Sequence, residues 1–245
     1  MTMRSGSHSR TRWGSRAAAI YDDAYAERYR QHDERRTPGD AIDRLSRWLH
    51  DICIRCGPSI DVLDLGCGTG RYFGALTGVR RLVGVDVSRP MLDRARPRAG
   101  ALGPLPGGVE LVEADFLNFD CGAAQFDLVY SIGVLAEHSP FDDAIASRVR
   151  HWLKPGGRFA FSAVHPGSQT VPRTFKRRVA ERLMPAAPEP LRSTLRDRLM
   201  RDGLYADELR IRNVLAGAGM EVESIGPFQS DVHLQVLTVA TVPRP

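Results

Sequence analysis

The stretch "VLDLGCGTGRY", residues 62–72, decides the fold class of this chain. An apolar run ends in an acid, and glycines then stand at every second position, at Gly66, Gly68 and Gly70. Glycines after a strand let a ligand approach the backbone, and a helix turn that follows offers free N–H groups. A dinucleotide loop needs its third glycine at position 71, which is Arg71, and no Gly-Lys-Ser/Thr sequence follows as in a phosphate loop. The stretch therefore predicts a nucleotide-type site that does not fit a dinucleotide.

Strand-like and helix-like segments alternate along the middle of the chain, which predicts an α/β fold. Apolar runs rich in β-branched residues are typical of strands buried on both faces of a parallel sheet. These runs, with a less apolar third one, are 61–65, 80–86, 109–115, 126–133 and 157–164. Helical spacing of apolar residues places helices at 39–56, 88–100, 141–153 and 206–219. Two late runs, 220–226 and 232–242, predict an antiparallel pair at the sheet edge, and "KPGG" at 154–157 predicts a turn.

A single domain is expected over residues 17–245, preceded by a disordered leader at 1–16 that is rich in Ser, Arg and Gly. The leader lacks the apolar run of a secretory signal. Residues 17–60 are predicted to form N-terminal cap helices. Within them, three tyrosines lie at i, i+4 and i+8 on one helical face, and they are Tyr21, Tyr25 and Tyr29.

A second unusual segment, residues 166–204, interrupts the alternation after the fifth strand and is dense in proline and arginine. Its length predicts a helical lid insertion. Its basic part, residues 172–182, could contact a phosphate or carboxylate of a substrate, or could be a solvated helix face.

Composition and charge set few limits on function. The chain has 245 residues, of which 42% are hydrophobic and 26% charged, as in an ordinary globular protein with a sizeable core. The 34 basic and 29 acidic residues give a net charge of +5, which permits acidic partners without requiring them. No apolar stretch reaches the roughly 18 residues of a membrane span.

The four cysteines predict no metal site. Cys53 and Cys56 form one CxxC pair, but the other two, Cys67 and Cys121, do not form a second pair at zinc-site spacing. The expected compartment is a reducing cytoplasm.

Four motifs in order resemble those of class I S-adenosylmethionine-dependent methyltransferases of the small-molecule type. "DLGCGTGRY" resembles the first motif, and Asp86 ends the next strand, 20 residues after Gly66. "EADFLNF", residues 113–119, resembles the third motif, "FDLVYSIGVLAEH", residues 126–138, the fourth, and "LKPGGRFAFS" the turn before the fifth strand. The resemblance covers roughly residues 20–165 and resumes at the last helix and strands. It implies a three-layer, Rossmann-like, seven-stranded, mostly parallel sheet with an antiparallel edge strand.

The resemblance implies S-adenosyl-L-methionine as the cofactor and assigns residues to it. Asp86 would accept both ribose hydroxyls, Asp115 would bind the adenine amino group, and Asp64 would help to hold the amino end. Arg28 is a candidate for the methionine carboxylate. The full set of candidate cofactor residues is Tyr21, Arg28, Tyr29, Asp64, Gly66, Cys67, Gly68, Gly70, Asp86, Val87, Met91, Asp115, Phe116, Ser131 and Ile132. The tyrosines could close the cofactor pocket, or their helix could simply pack its aromatic face on the domain.

Candidates for proton transfer follow the fourth and fifth strands, at the sheet edge where open α/β sheets bind ligands. The candidate catalytic residues are His138, Glu137 and His165, and His233 lies in the edge pair. Each histidine could act as a base near neutral pH or serve structure alone, and Glu137 could instead anchor a cationic nitrogen.

The expected acceptor is an O, N or C atom of a small metabolite. RNA or protein methylation and a non-catalytic cofactor-binding subunit remain alternatives. The fourth motif reads "SIGV" at residues 131–134 and lacks the Pro-Pro-aromatic sequence that resembles DNA amino-methyltransferases, so no nucleic acid partner is expected. The chain could be a monomer or a homodimer.

Overall fold

The structure is a computed structural model that describes residues 11–35, 37–169 and 204–244. Most of the predicted lid, residues 170–203, lies outside the described residues. The described helices are α1 (Arg12–Ile20), α2 (Asp23–Glu34), α3 (Ala41–Cys56), α4 (Arg89–Gly100), α5 (Asp143–Trp152) and α6 (Glu208–Gly217). The strands are β1 (Ile60–Leu65), β2 (Val79–Asp86), β3 (Val109–Glu113), β4 (Phe126–Ser131), β5 (Leu153–Val164), β6 (Glu221–Gln229) and β7 (Leu234–Thr241).

The seven strands form one sheet in the order β3-β2-β1-β4-β5-β7-β6. The pairings from β3 to β5 are parallel, whereas β7 runs antiparallel to both β5 and β6. The prediction of a mostly parallel, seven-stranded sheet with an antiparallel edge pair is confirmed. The strand order reverses between β1 and β4, and ligands of open α/β sheets bind beyond the carboxyl ends of strands at such a point.

Helices cover both faces of the sheet, which makes three layers. One core cluster contains α5 and α6 residues such as Ile145 and Leu215, which are fully buried. The other contains α3 and α4 residues such as Leu49 and Leu92. Every residue of β1 is buried, as expected for a central strand with helices on both faces. No described helix is long and apolar enough to cross a membrane.

The N-terminal segment differs from the prediction. The helix α1 begins at Arg12, so residues 11–16 are not a disordered leader, and Thr11 caps the helix by accepting a hydrogen bond from the backbone N–H of Gly14. The tyrosine face is also not one continuous helix. The first helix, α1, ends at Ile20, and a second helix, α2, begins at Asp23 with the side chain of Asp22 as its N-cap. Tyr21 is the C-cap of α1 and Asp22 the N-cap of α2, a boundary that the spacing of the tyrosines alone does not reveal.

Two connections also differ from expectation. The glycine loop after β1 leads into a three-residue 3-10 helix, Phe73–Ala75, rather than into an α-helix, so it offers no long helix N-terminus to a phosphate. The "KPGG" sequence lies within β5, although the strand has a register shift there and Gly156 has a φ of 78°. Pairing of Leu153 with Phe126 of β4 extends the strand across the predicted turn.

Candidate active site

A cavity lies beyond the carboxyl ends of β1, β2 and β4, under the helix α1. It brings together eleven of the predicted site residues, namely Tyr21, Tyr29, Gly66, Gly68, Asp86, Val87, Met91, Asp115, Phe116, Ile132 and His138. Segments that are distant in sequence therefore converge on one space at the switch point of the sheet.

The glycine loop forms the floor of the cavity. The backbone N–H groups of Gly66 and Cys67 donate to the carbonyl of Val85, at 2.8 and 3.0 Å, which ties the loop to β2. Gly66 has a φ of 77°, and a Cβ there would lie 2.5 Å from the side chain of Val134. Gly68 also lies in the left-handed region, at 52°. Side chains at either position would be strained, and at Gly66 the side chain would also meet the neighbouring wall.

Asp86 is held in one orientation at the end of β2. Its Oδ2 accepts from the N–H of Gly68 and its Oδ1 from the N–H of Ser88, both at 2.8 Å. Burial raises its pKa to about 6, although the N–H groups of Ser88 and Gly68 oppose that shift. A buried carboxylate that lines a cavity fits a ligand with hydroxyl donors, because such donors compensate its lost hydration.

Asp115 contacts the N-terminal helix directly. Its Oδ2 accepts from the backbone N–H of Thr11 at 2.7 Å and from the Thr11 hydroxyl at 2.6 Å, while its Oδ1 accepts from the N–H of Leu117 at 3.0 Å. Gly14 packs so closely that a Cβ there would collide with the Asp115 carboxylate. The helix α1 is therefore fitted to this carboxylate.

Sequence reasoning missed several lining residues. Those from the N-terminal helix are Trp13, Gly14 and Ala17, and those beyond it are Leu117, Gly133, Val134 and Ser139. The N-terminal lining residues were missed because the composition of their segment, rich in Ser, Arg and Gly, is typical of disorder. Two signals could have revealed them: an aromatic Trp13 inside the supposed leader, and Thr11 as a possible helix cap.

Five of the other candidate cofactor residues do not line this cavity. Arg28 is exposed and lies over the ring of Tyr25, at 5.6 Å from its centroid. The Ser131 hydroxyl donates to the Leu65 carbonyl at 2.8 Å and so joins β4 to β1. The others, Asp64, Cys67 and Gly70, are buried beneath the loop or in its turn. They support the floor of the cavity without lining it, and burial raises the pKa of Asp64 to about 8.

His138 lines the other end of the cavity, where the loop after β4 turns back. Its backbone N–H donates to the carbonyl of Val134 at 2.9 Å, and Ala136 in the same turn has a φ of 56°. The ring Nε2 lies 2.6 Å from the hydroxyl of Tyr21, and the two rings pack edge to face at 5.3 Å. The turn thus aims His138 at the junction between α1 and α2.

Glu137 lies behind His138, between two imidazoles. Its Oε1 is 3.5 Å from Nε2 of His138 and 3.3 Å from Nε2 of His233. Burial raises the pKa of Glu137 to about 7. Burial also lowers the pKa of His138 to about 4, aided by the charge of Arg16, so His138 is neutral near pH 7.

His165 does not join this group at the cavity. The ring Nδ1 of His165 accepts from the backbone N–H of Gly167 at 2.9 Å. The backbone N–H of His165 donates to the carbonyl of Leu234 in β7. Neither His165 nor Glu137 is a lining residue. The described residues contain no group of three or more His, Cys, Asp or Glu side chains arranged to hold a metal ion.

Comparison with known proteins agrees with this geometry. Residues 62–157 match the family described as methyltransferase domain. The chain is 30% identical over 149 residues to a sterol 24-C-methyltransferase of Gibberella zeae, a match that covers 58% of this chain and 38% of the relative. It is 32% identical over 154 residues to the cypemycin N-terminal methyltransferase of a Streptomyces species, covering 60% of this chain and 58% of the relative.

A solved structure has the same fold. Magnesium protoporphyrin IX methyltransferase of Synechocystis PCC 6803, solved with bound S-adenosylmethionine, superposes with a TM-score of 0.63 at 15% identity. The match covers 96% of this chain and 100% of that one. The family match over residues 62–157 and the shared fold support a class I S-adenosylmethionine-dependent methyltransferase, and the methyltransferase domain implies S-adenosyl-L-methionine as its cofactor. It spans 38% and 58% of the length of the two curated relatives above.

Proposed function

We propose that this protein transfers a methyl group from S-adenosyl-L-methionine to an O, N or C atom of a small molecule. The observation that carries the proposal is Asp86, a buried carboxylate that two backbone N–H groups orient toward a cavity floored by Gly66 and Gly68. When bound, the cofactor supplies an electrophilic methyl group on a sulfonium sulfur.

The residues that would hold the cofactor lie along the cavity. Asp86 would accept from the ribose hydroxyls, and the glycine loop would make room for the methionine part. Asp115 and Phe116 would contact the adenine, with Asp115 also holding α1 through Thr11. Tyr21 and Tyr29 would cover the cofactor from the N-terminal helices.

The acceptor end would use His138 and the carboxylate behind it. Burial raises the pKa of Tyr21, so its hydroxyl stays protonated; in the tautomer with hydrogen on Nε2 it accepts from Nε2 of His138, which leaves Nδ1 as the unprotonated nitrogen. A neutral imidazole that lines the cavity can accept a proton from an acceptor group. When Glu137 is ionised, its carboxylate at 3.5 Å would stabilise the imidazolium that forms. Glu137 thus acts through His138 rather than at the cavity itself.

The names of the two relatives give different methylated positions: a sterol carbon for one and an N-terminus for the other. The acceptor of this chain is accordingly proposed only as a small molecule. The protein is also proposed to be cytoplasmic, because all four cysteines are free and two of them are buried.

The test uses the full chain with S-adenosylmethionine and its demethylated product, S-adenosylhomocysteine, in titration calorimetry. We expect saturable binding of both at a 1:1 ratio, and transfer of a labelled methyl group to a small molecule in fractionated extract. Absence of binding would refute the cofactor assignment. Binding without transfer to any fraction would refute the catalytic proposal and indicate a cofactor-binding subunit.

A further inference from the structure

The residue that breaks the dinucleotide pattern, Arg71, has a structural partner on the N-terminal helices. Its Nε donates to Oδ1 of Asp33 at 2.5 Å, and its guanidinium lies over the ring of Tyr29, 4.0 Å from the centroid. Asp33 and Tyr29 are both on α2, one helical turn apart. A side chain of the glycine loop therefore contacts two successive positions on one face of the cap helix.

The Asp33 carboxylate is fully buried and joins three parts of the protein. Its Oδ2 accepts from the hydroxyl of Thr69 at 2.8 Å and from Nη1 of Arg98 on α4 at 2.7 Å. Two arginines and one hydroxyl therefore compensate its charge. Loss of Arg71 alone leaves Asp33 paired with Arg98, so that change does not strand an unpaired charge in the interior.

Tyr29 is the part of this arrangement that reaches the cavity. It lines the same space as Gly68, whereas Arg71 and Asp33 do not. Through Arg71, the glycine loop therefore holds Tyr29, which forms a wall of the cavity, in place beside Gly68, which forms part of the floor. The planar guanidinium suits this position because it stacks on a ring while its Nε binds a carboxylate, which an ammonium group does less well.

We infer that Arg71 and Asp33 are positioning residues that hold Tyr29 of α2 against the glycine loop and so complete one wall of the cofactor pocket. The inference rests on the proposed function, since it concerns the same pocket. It assigns a role to the arginine that stands where a dinucleotide loop has glycine. Arg71 acts through Tyr29, because Tyr29 lines the cavity and Arg71 does not.

The experiment measures S-adenosylhomocysteine affinity in Arg71→Met, with Arg94→Met as the matched control. Arg94 also ties α4 to α2, through Asp23 at 3.0 Å and Glu27 at 3.3 Å, but it contacts neither Tyr29 nor the glycine loop. We expect about a tenfold higher Kd for Arg71→Met and less than a twofold change for the control. Equal weakening in both variants, or none in Arg71→Met, would overturn the inference.

A double-mutant cycle separates positioning from general stability. If Arg71 acts through Tyr29, Arg71→Met should change the Kd by less than twofold in a Tyr29→Leu background. Additive losses would contradict the inference. If Arg71→Met fails to fold, Arg71→Lys, which retains the charge, provides the same comparison. We expect about a threefold higher Kd for S-adenosylhomocysteine in that variant.

A measurement without ligand distinguishes this inference from the proposed function. In the ligand-free protein, amide hydrogen exchange across Asp23–Glu34 should be faster in Arg71→Met than in wild type, by about tenfold. Failure of the wild-type protein to bind S-adenosylhomocysteine would reject the proposed function and the pocket role with it. Wild-type binding with unchanged exchange and affinity in Arg71→Met would reject the inference alone.

Discussion

Thr11 donates two hydrogen bonds to a single oxygen of Asp115, a residue 104 positions further along the chain. The contact fixes the start of α1 over the cavity, where Trp13 and Ala17 form part of the lining. The N-terminal helix is therefore a structural part of the proposed cofactor site.

Removal of residues 1–20 should weaken retention of the cofactor. Without α1, one side of the cavity is open to solvent, so dissociation of S-adenosylhomocysteine should become at least tenfold faster in a stopped-flow experiment. A deletion of residues 1–37 is less informative, because it also removes Asp33 and leaves Arg71 and Arg98 without this partner. Tighter binding after deletion of 1–20 would mean that α1 competes with the cofactor.

Asp86→Asn should reduce cofactor affinity at least tenfold, because an amide accepts from hydroxyl donors more weakly than a carboxylate does. The matched control is Asp93→Asn on α4, where the side chain is 49% exposed and pairs with Arg89 and Arg96. Calorimetry with S-adenosylhomocysteine measures both variants. If the two behave alike, Asp86 does not bind the ribose.

The pH dependence of turnover should reflect Glu137. Its carboxyl, with a pKa raised to about 7 by burial, is protonated below that pH and ionised above it. If the ionised form supports His138, the rate at saturating substrates should rise with pH through about 7. His138, with a pKa near 4, adds no step between pH 5 and 8. Glu137→Gln should lack the rise, and a variant that keeps it would show that another group titrates.

His138→Ala should lower turnover by about 10²-fold if the imidazole accepts the acceptor's proton. Cofactor affinity should change less than turnover does. His151→Ala on the exposed surface of α5 is the control, with a rate expected within twofold of wild type. Full turnover in His138→Ala would assign the residue to structure, through its contact with Tyr21.

Gly66→Ala should lower the free energy of unfolding by about 1–3 kcal/mol, since it places a Cβ at a φ of 77° and against Val134. Gly74→Ala is the matched control, because no atom lies within 4 Å of the added Cβ and φ is not in the left-handed region. Urea denaturation compares the two. A loss of similar size at Gly74 would contradict the steric argument.

The sequence predicted those parts of the site that are built from local patterns. Gly66, Asp86 and Asp115 each follow a strand, and a strand of apolar residues is visible in the sequence on its own. The register of parallel strands then brings their carboxyl ends to one edge of the sheet. For this reason the floor and two acids of the cavity were found without any structure.

The remaining parts depend on contacts that sequence patterns do not encode. Thr11 and Trp13 are ordered by Asp115 and the cavity wall, not by the weakly apolar composition of their own segment. Arg28 occurs on the same helix as Tyr29 but points to solvent, because spacing alone did not fix which face α2 turns inward. The grouping of Glu137 with His233 joins two distant loops and has no local signal.

The bonds of the N-terminal helices have a consequence for how the protein is made. Thr11 contacts Asp115, and Tyr21 contacts His138, 117 residues away. The segment that carries Thr11 and Tyr21 therefore leaves the ribosome before Asp115 and His138 are synthesised. Both contacts can be in place only after residue 138 has emerged. The segment thus reaches its native position only after residues that are synthesised later than itself, and these contacts raise the average sequence separation that slows folding.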